Sequence, residues 1–99
     1  MRRGTTPTLR IEVKGIPIED LKSIYVTLKQ GDIEITKDIS NIEKDADILV
    51  VRLRQEETLA FSAGWIQVQL RAVTTDGIAT AGPIKNISMN DILLEEVIT

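Results

Sequence analysis

The sequence predicts an all-β domain built from packed antiparallel strands, and three observations carry that prediction. Ile, Val and Thr together supply 32 of the 99 residues, a β-branched population that is stiff at χ1 and sits more comfortably on a pleated sheet than in a helix. Apolar and polar residues alternate with a period of two over several short runs, as a strand with one buried face requires. Turn-forming residues punctuate those runs, most plainly at Gly15-Ile16-Pro17, Gln30-Gly31-Asp32 and Asp76-Gly77.

The elements follow in chain order. Leu9, Ile11 and Val13 point one way while Thr8, Arg10, Glu12 and Lys14 point the other, so residues 8–14 read as a half-buried strand. Ile18, Leu21, Ile24 and Leu28 recur at helical spacing. Ile24-Tyr25-Val26-Thr27 is poor helix material, however, and the preferred reading is a strand from Ser23 onward, preceded by a loop or single turn at Pro17–Asp20. Gly31 permits a tight hairpin, and Ile33 and Ile35 begin the return strand. Asp38 to Asp47 reads as an acidic, sheet-averse connection before a strand carried by Leu49, Val51 and Leu53. From Gln55 to Phe61 the period of two is lost, and Leu59 with Phe61 is expected to plug one end of the core from a turn or short helix. Trp65 to Val73 is the clearest strand, with Ile66, Val68, Leu70 and Ala72 inward and Gln67, Gln69 and Arg71 outward. After the Asp76-Gly77 turn the return strand is interrupted at Ala81-Gly82-Pro83 and resumes from Ile84 to Met89, on an edge or in a second sheet where Pro costs no ladder bond.

Six or seven short strands at this spacing predict an immunoglobulin-like antiparallel β-sandwich, with a small barrel as the alternative. The length supports one modest core. The expected organisation is therefore a single domain over residues 1–99, with an N-terminal arm at 1–7 and an apolar C-terminal segment at 91–99.

Composition excludes more than it selects. Without Cys or His there is no thiol nucleophile, disulfide, imidazole base or zinc site of Cys/His type. A net charge of −3 with dispersed cations argues against nucleic acid as a partner. Met1-Arg2-Arg3 leads into Gly4-Thr5-Thr6-Pro7, which is no secretory signal, and the longest aliphatic run, Ile48 to Val51, is too short for a bilayer. The expectation is a protein made in the cytoplasm that meets no membrane.

Candidate sites are few. Carboxylates cluster at Glu19-Asp20, Asp32 with Glu34, Asp45 with Asp47, Glu56-Glu57 and Glu95-Glu96. None has the further ligands of a calcium loop, and nothing demands the two separated environments of an acid/base pair. The four serines lie in no nucleophile elbow, and no phosphate-cradling Gly-rich loop is present, so no catalytic residue, metal or cofactor is predicted. Trp65, Gln67, Gln69 and Arg71 place a ring and three hydrogen-bonding groups along one strand face, which could stack and orient a sugar, with Arg52 and Arg54 extending that face from another strand. The plainer reading is a Trp that seals the rim of the core beside an ordinary solvated ladder.

The termini carry the other candidates. Arg2, Arg3 and Arg10 form the one basic cluster, read as a solvated terminus or as an arm for an acidic neighbour. Ile92, Leu93, Leu94, Val97 and Ile98 are apolar residues close to Thr99, around Glu95-Glu96, and Ser88 to Asp91 has the spacing of a helix-capping box. Either the segment folds back as a short strand or helix to close the core, or it leaves as an arm that packs on another subunit.

Four stretches carry a family resemblance: Met1-Arg2-Arg3-Gly4-Thr5-Thr6-Pro7-Thr8-Leu9, Ile24 to Gln30, Leu53-Arg54-Gln55-Glu56-Glu57-Thr58-Leu59, and Val68-Gln69-Leu70-Arg71 with Asp76-Gly77. In these the chain resembles small structural proteins encoded by prophages of Firmicutes, and its layout is similar to the immunoglobulin-like N-terminal domain of phage baseplate upper proteins. The resemblance implies a non-enzymatic assembly component of a phage tail or baseplate, located in the virion. Its partners would be other tail or baseplate proteins and copies of itself in a ring or trimer. Arg2, Arg3, Ile92, Leu93, Leu94, Val97 and Ile98 are then the expected interface. The competing expectation is a carbohydrate-binding or adhesion module that uses Trp65, Gln67, Gln69 and Arg71.

Overall fold

The alternating runs form strands in the computed structural model, which describes all residues from Met1 to Thr99. The strands are β1 (Thr8–Glu12), β2 (Leu21–Gln30), β3 (Ile33–Asp38), β4 (Ile42–Asp45), β5 (Ile48–Arg52), β6 (Gly64–Thr74), β7 (Ala79–Ala81) and β8 (Lys85–Met89), with one short helix, α1 (Gln55–Ala60), between β5 and β6. They make two antiparallel sheets. One has the order β1-β5-β4; the other runs β3-β2-β6, with β7 and β8 following each other along the free side of β6. These orders are those of an immunoglobulin sandwich entered at its second strand, so the fold class is as the sequence predicts.

The core lies between the sheets. Leu21, Ile24, Val26 and Leu28 of β2 and Ile66, Val68 and Ala72 of β6 meet Leu49 and Val51 of β5, Ile42 of β4 and Met89 of β8, while Leu53 and Phe61 close the end near α1. A β-bulge between Leu21 and Ser23 puts Leu21 and Ile24 on the same face despite their odd spacing. With Ile18 buried in a single 3-10 turn at Ile18–Asp20, that bulge is why the segment also reads as a helix. No helix is long and apolar enough to cross a membrane.

Three local expectations are corrected. The strands number eight, because the acidic stretch 38–47 holds β4. Asp38 caps a 3-10 turn at Ile39–Asn41 by accepting from the Ser40 N–H at 2.9 Å; Ile42 then anchors β4 in the core, and Glu43, Lys44 and Asp45 tolerate an edge position because they face solvent. Residues 89–92 form no capped helix: Ser88 lies in β8, and the Asp91 carboxylate accepts from its neighbour Ile92 N–H at 2.8 Å. Residues 1–3 are no free arm, since Met1 and Arg3 pair with Asn90 through two backbone hydrogen bonds and place Arg2 in a parallel bridge with it.

Candidate functional site

The two termini meet at the α1 end of the sandwich, and Arg3 is the centre of the meeting. Its backbone is fixed by the Asn90 pairing, so its side chain turns across the end of the core. The guanidinium donates to the Phe61 carbonyl at 2.6 Å and the Leu59 carbonyl at 3.1 Å, and to the carboxylates of Asp91, at 2.9 Å, and Glu95. Only 14% of this side chain is exposed. Five donors in a fixed fork suit such a role, which a lysine could not fill. The Asp91 carboxyl is held below the usual aspartate range by the Ile92 N–H first and Arg3 next.

Gly4 makes the docking possible. It sits at φ +73°, and a Cβ there would lie 3.2 Å from Ile92 Cδ1 and 3.4 Å from Leu59 Cδ2. Ile92 is thereby half-buried. Farther on, the Gln55 side-chain amide donates to the Ile98 carbonyl at 2.8 Å and accepts from the Ile98 N–H at 2.9 Å, reading that residue as a neighbouring strand would. The C-terminal segment therefore folds back with neither regular secondary structure nor a place in the core. Its backbone is held, yet Leu93, Leu94, Val97 and Ile98 remain exposed, with Leu93 wholly so. Arg2, Asp91, Ile92, Leu93 and Leu94 line an open, largely apolar depression of about 440 Å³.

The expected interface residues thus come together, with one exception. Arg2 is exposed, its guanidinium donates to the Asp91 carbonyl, and Ile92, Leu93 and Leu94 share its depression, while Ile98 is held at Gln55. Arg3 is instead spent within the chain, which corrects its reading as a solvated or neighbour-seeking terminus.

The second candidate lies on the outer face of the β3-β2-β6 sheet. Trp65, 69% exposed, does not seal the core, because Ile66 points inward and its predecessor must point out. Gln67 and Arg71 share that face and are free. Gln69 donates its amide to the Gly82 carbonyl at 3.0 Å. Sequence reasoning missed Tyr25, which lies in register beside Arg71 and is exposed; only the pairing of β2 with β6 reveals it. Arg52 and Arg54 do not extend this face. Arg52 lies on β5 of the other sheet and pairs with Glu43 at 3.0 Å, and Arg54 is the residue before α1.

A third cluster was missed in the sequence. Lys37 lies on the inward face of β3, and its ammonium reaches both Glu57 carboxylate oxygens, at 2.8 and 2.7 Å. Glu57 also accepts from the Arg54 N–H at 2.8 Å, a capping-box contact at the start of α1. Burial pushes the Glu57 carboxyl up, but the Lys37 hydrogen bond, the Arg54 N–H and both cations outweigh it, and the pKa lies below the usual value of 4.5. The signal available was Lys37 at an inward position of the Ile33-Ile35 alternation. The pair opens onto a wholly polar depression with Thr36, Asn41, Arg52 and Arg54. With one carboxylate committed to two cations, this cluster holds no acid/base pair, and no group of three or more acidic side chains converges elsewhere.

No family profile, curated protein or solved structure matches this chain significantly.

Proposed function

We propose that the protein is a non-enzymatic assembly module that works through protein interfaces, and that its setting is a phage tail or baseplate. The observation that supports the interface is the C-terminal segment: four apolar side chains exposed on a stretch that Arg3 holds by the Glu95 carboxylate and Gln55 by the Ile98 backbone. Exposed apolar residues on a tethered backbone cost little ordering entropy when a partner covers them. The phage setting rests on the sequence resemblance alone. Mass spectrometry of particles purified after prophage induction tests it: a small fixed copy number relative to the major tail protein is expected, and recovery only from the soluble lysate would overturn the setting.

A second reading has one observation in its favour, the exposure of Trp65 beside Gln67 on a sheet face that also carries Arg71 and Tyr25 roughly 20 Å farther along the strand. A sandwich face of this kind can stack a sugar ring. Trp65→Ala should then abolish binding to a glycan array while leaving the fold intact, and no binding by the unaltered protein would remove the reading.

A further inference from the structure

The last residues are held in an unusual way. Their three side-chain contacts come from outside the segment, with Arg3 taking the Glu95 carboxylate and Gln55 taking both backbone groups of Ile98. None of the side chains from Leu93 to Thr99 is buried. By contrast Ile92, immediately before them, is half-buried over Gly4, and Asp91 is fixed on both its carbonyl and its carboxylate. A joint therefore falls at Leu93 and Leu94, between an anchored half and a half held only by surface groups. From Ile92 to Ile98 an extended chain can span roughly 20 Å.

Resting on the reading of the protein as an interface module, we infer that residues 95–98 exchange between two copies of this chain. The Glu95–Ile98 stretch of each copy occupies the Arg3 and Gln55 positions of the other. The occupant is fixed by what already fits: a guanidinium that takes a carboxylate and, for a residue three positions later, an amide that takes both backbone groups. A second copy supplies the same groups at the same spacing. The polar contacts are chemically identical within one chain or between two, so exchange loses none of them. It adds apolar burial, because crossing two segments brings Leu93, Leu94 and Val97 of one copy toward those of the other. Charge supports the pairing: Arg2 lies exposed beside the segment with only a carbonyl as partner, and Glu96 has no cation.

Charge reversal tests this in the full chain. Arg3→Glu removes the carboxylate receptor from one population and Glu95→Lys reverses the ligand in another, so neither restores the contact within its own chain. Mixed, each supplies what the other lacks. We expect each variant alone to sediment as a monomer and the mixture to sediment as a heterodimer, with protection of the Ile98 amide against hydrogen exchange regained only on mixing. A mixture that stays monomeric overturns exchange. Should Arg3→Glu not fold, Gln55→Cys mixed with Ile98→Cys decides instead, since the chain has no cysteine of its own: a 55–98 disulfide between chains supports exchange, and its formation only in the double variant, as a monomer, overturns it. If exchange fails while the unaltered chain still self-associates or occurs at a fixed multiple in particles, the interface reading stands through another surface; if neither is found, both fall.

Discussion

Two sites in this domain bring a cation onto carboxylates, and they do opposite things. Lys37 and Glu57 join β3 to α1 with both side chains about one-tenth exposed. Arg3 joins the N-terminus to Asp91 and Glu95, whose carboxylates are mostly in solvent. The first pair is largely covered at the floor of a polar depression, so breaking it leaves a charge with little access to water. The second secures a segment whose one half-buried side chain, Ile92, lies outside the core. An ion pair reports on the fold when its desolvation is large and on a segment's placement when it is small.

The largest effect should come from removing half of the buried pair. Glu57→Gln leaves the Lys37 ammonium without its counter-ion and weakens the α1 cap, and is expected to destabilise the domain by about 3 kcal/mol in urea titrations. Arg3→Gln, by comparison, should leave the urea midpoint nearly unchanged while the Ile98 and Asn90 amides lose protection. If the two variants shift the midpoint equally, the distinction between the sites fails. Replacing both partners, as in Lys37→Met with Glu57→Leu, should recover much of the loss, because well-packed apolar groups commonly do as well as a buried pair.

Acid and salt sharpen the contrast next. Glu57 and Asp91 both have folded pKa values below the usual 4.5 and 3.8. For a depressed carboxylate the stabilisation is complete above the usual value and is lost as pH falls through the lower folded value. Global stability should therefore be flat down to about pH 4.5 and fall below it, more steeply in the native chain than in Glu57→Gln. Salt separates the sites: about 1 M NaCl, where the screening length is about 3 Å, should loosen the segment without shifting the urea midpoint through Lys37 and Glu57. Loss of global stability in salt matching the loss of Ile98 protection would count against this.

Gly4→Ala should have an intermediate, local effect. The left-handed conformation costs a non-glycine residue roughly 1–2 kcal/mol, and the added methyl meets Ile92. The chain can relieve both by releasing residues 1–4 and 91–98 together. Amides of Arg3, Asn90 and Ile98 should lose protection while those of β2 and β6 keep theirs.

How far these features could be read from the sequence follows the same divide. Ile24, Val26 and Leu28 against Ile66, Val68 and Ala72 are visible because a buried strand face imposes a period of two on one short stretch of chain. The Asp76-Gly77 and Gly31 turns are visible because they need a particular backbone. Lys37 with Glu57, and Arg3 with Asp91, are 20 and 88 residues apart, and no local period connects a cation to a carboxylate at such separations. The Ser88–Asp91 spacing misled for a related reason. A capping box is local, but Asp91 is claimed by Arg3 from the far end of the chain, and a competing tertiary partner is invisible in four residues.

The smallest effects should come from a pair of glutamines that sharpen the comparison most. Gln30 uses its amide on Ser62, donating to the carbonyl at 2.8 Å and accepting from the N–H at 2.7 Å, just as Gln55 does on Ile98. The chemistry is the same, but the ends of the Ser62 loop are fixed, by buried Phe61 on one side and by β6 on the other. The Ile98 stretch is fixed only upstream. Gln30→Ala should thus leave Ser62 protected to a large degree, since the loop has few other places to go. Gln55→Ala should expose Ile98 to exchange at nearly the unfolded rate, with neither variant moving the urea midpoint by more than about 0.5 kcal/mol. Equal loss at both sites would mean that the amide contacts alone place these backbones, and the freedom assigned to residues 95–98 would lose its basis.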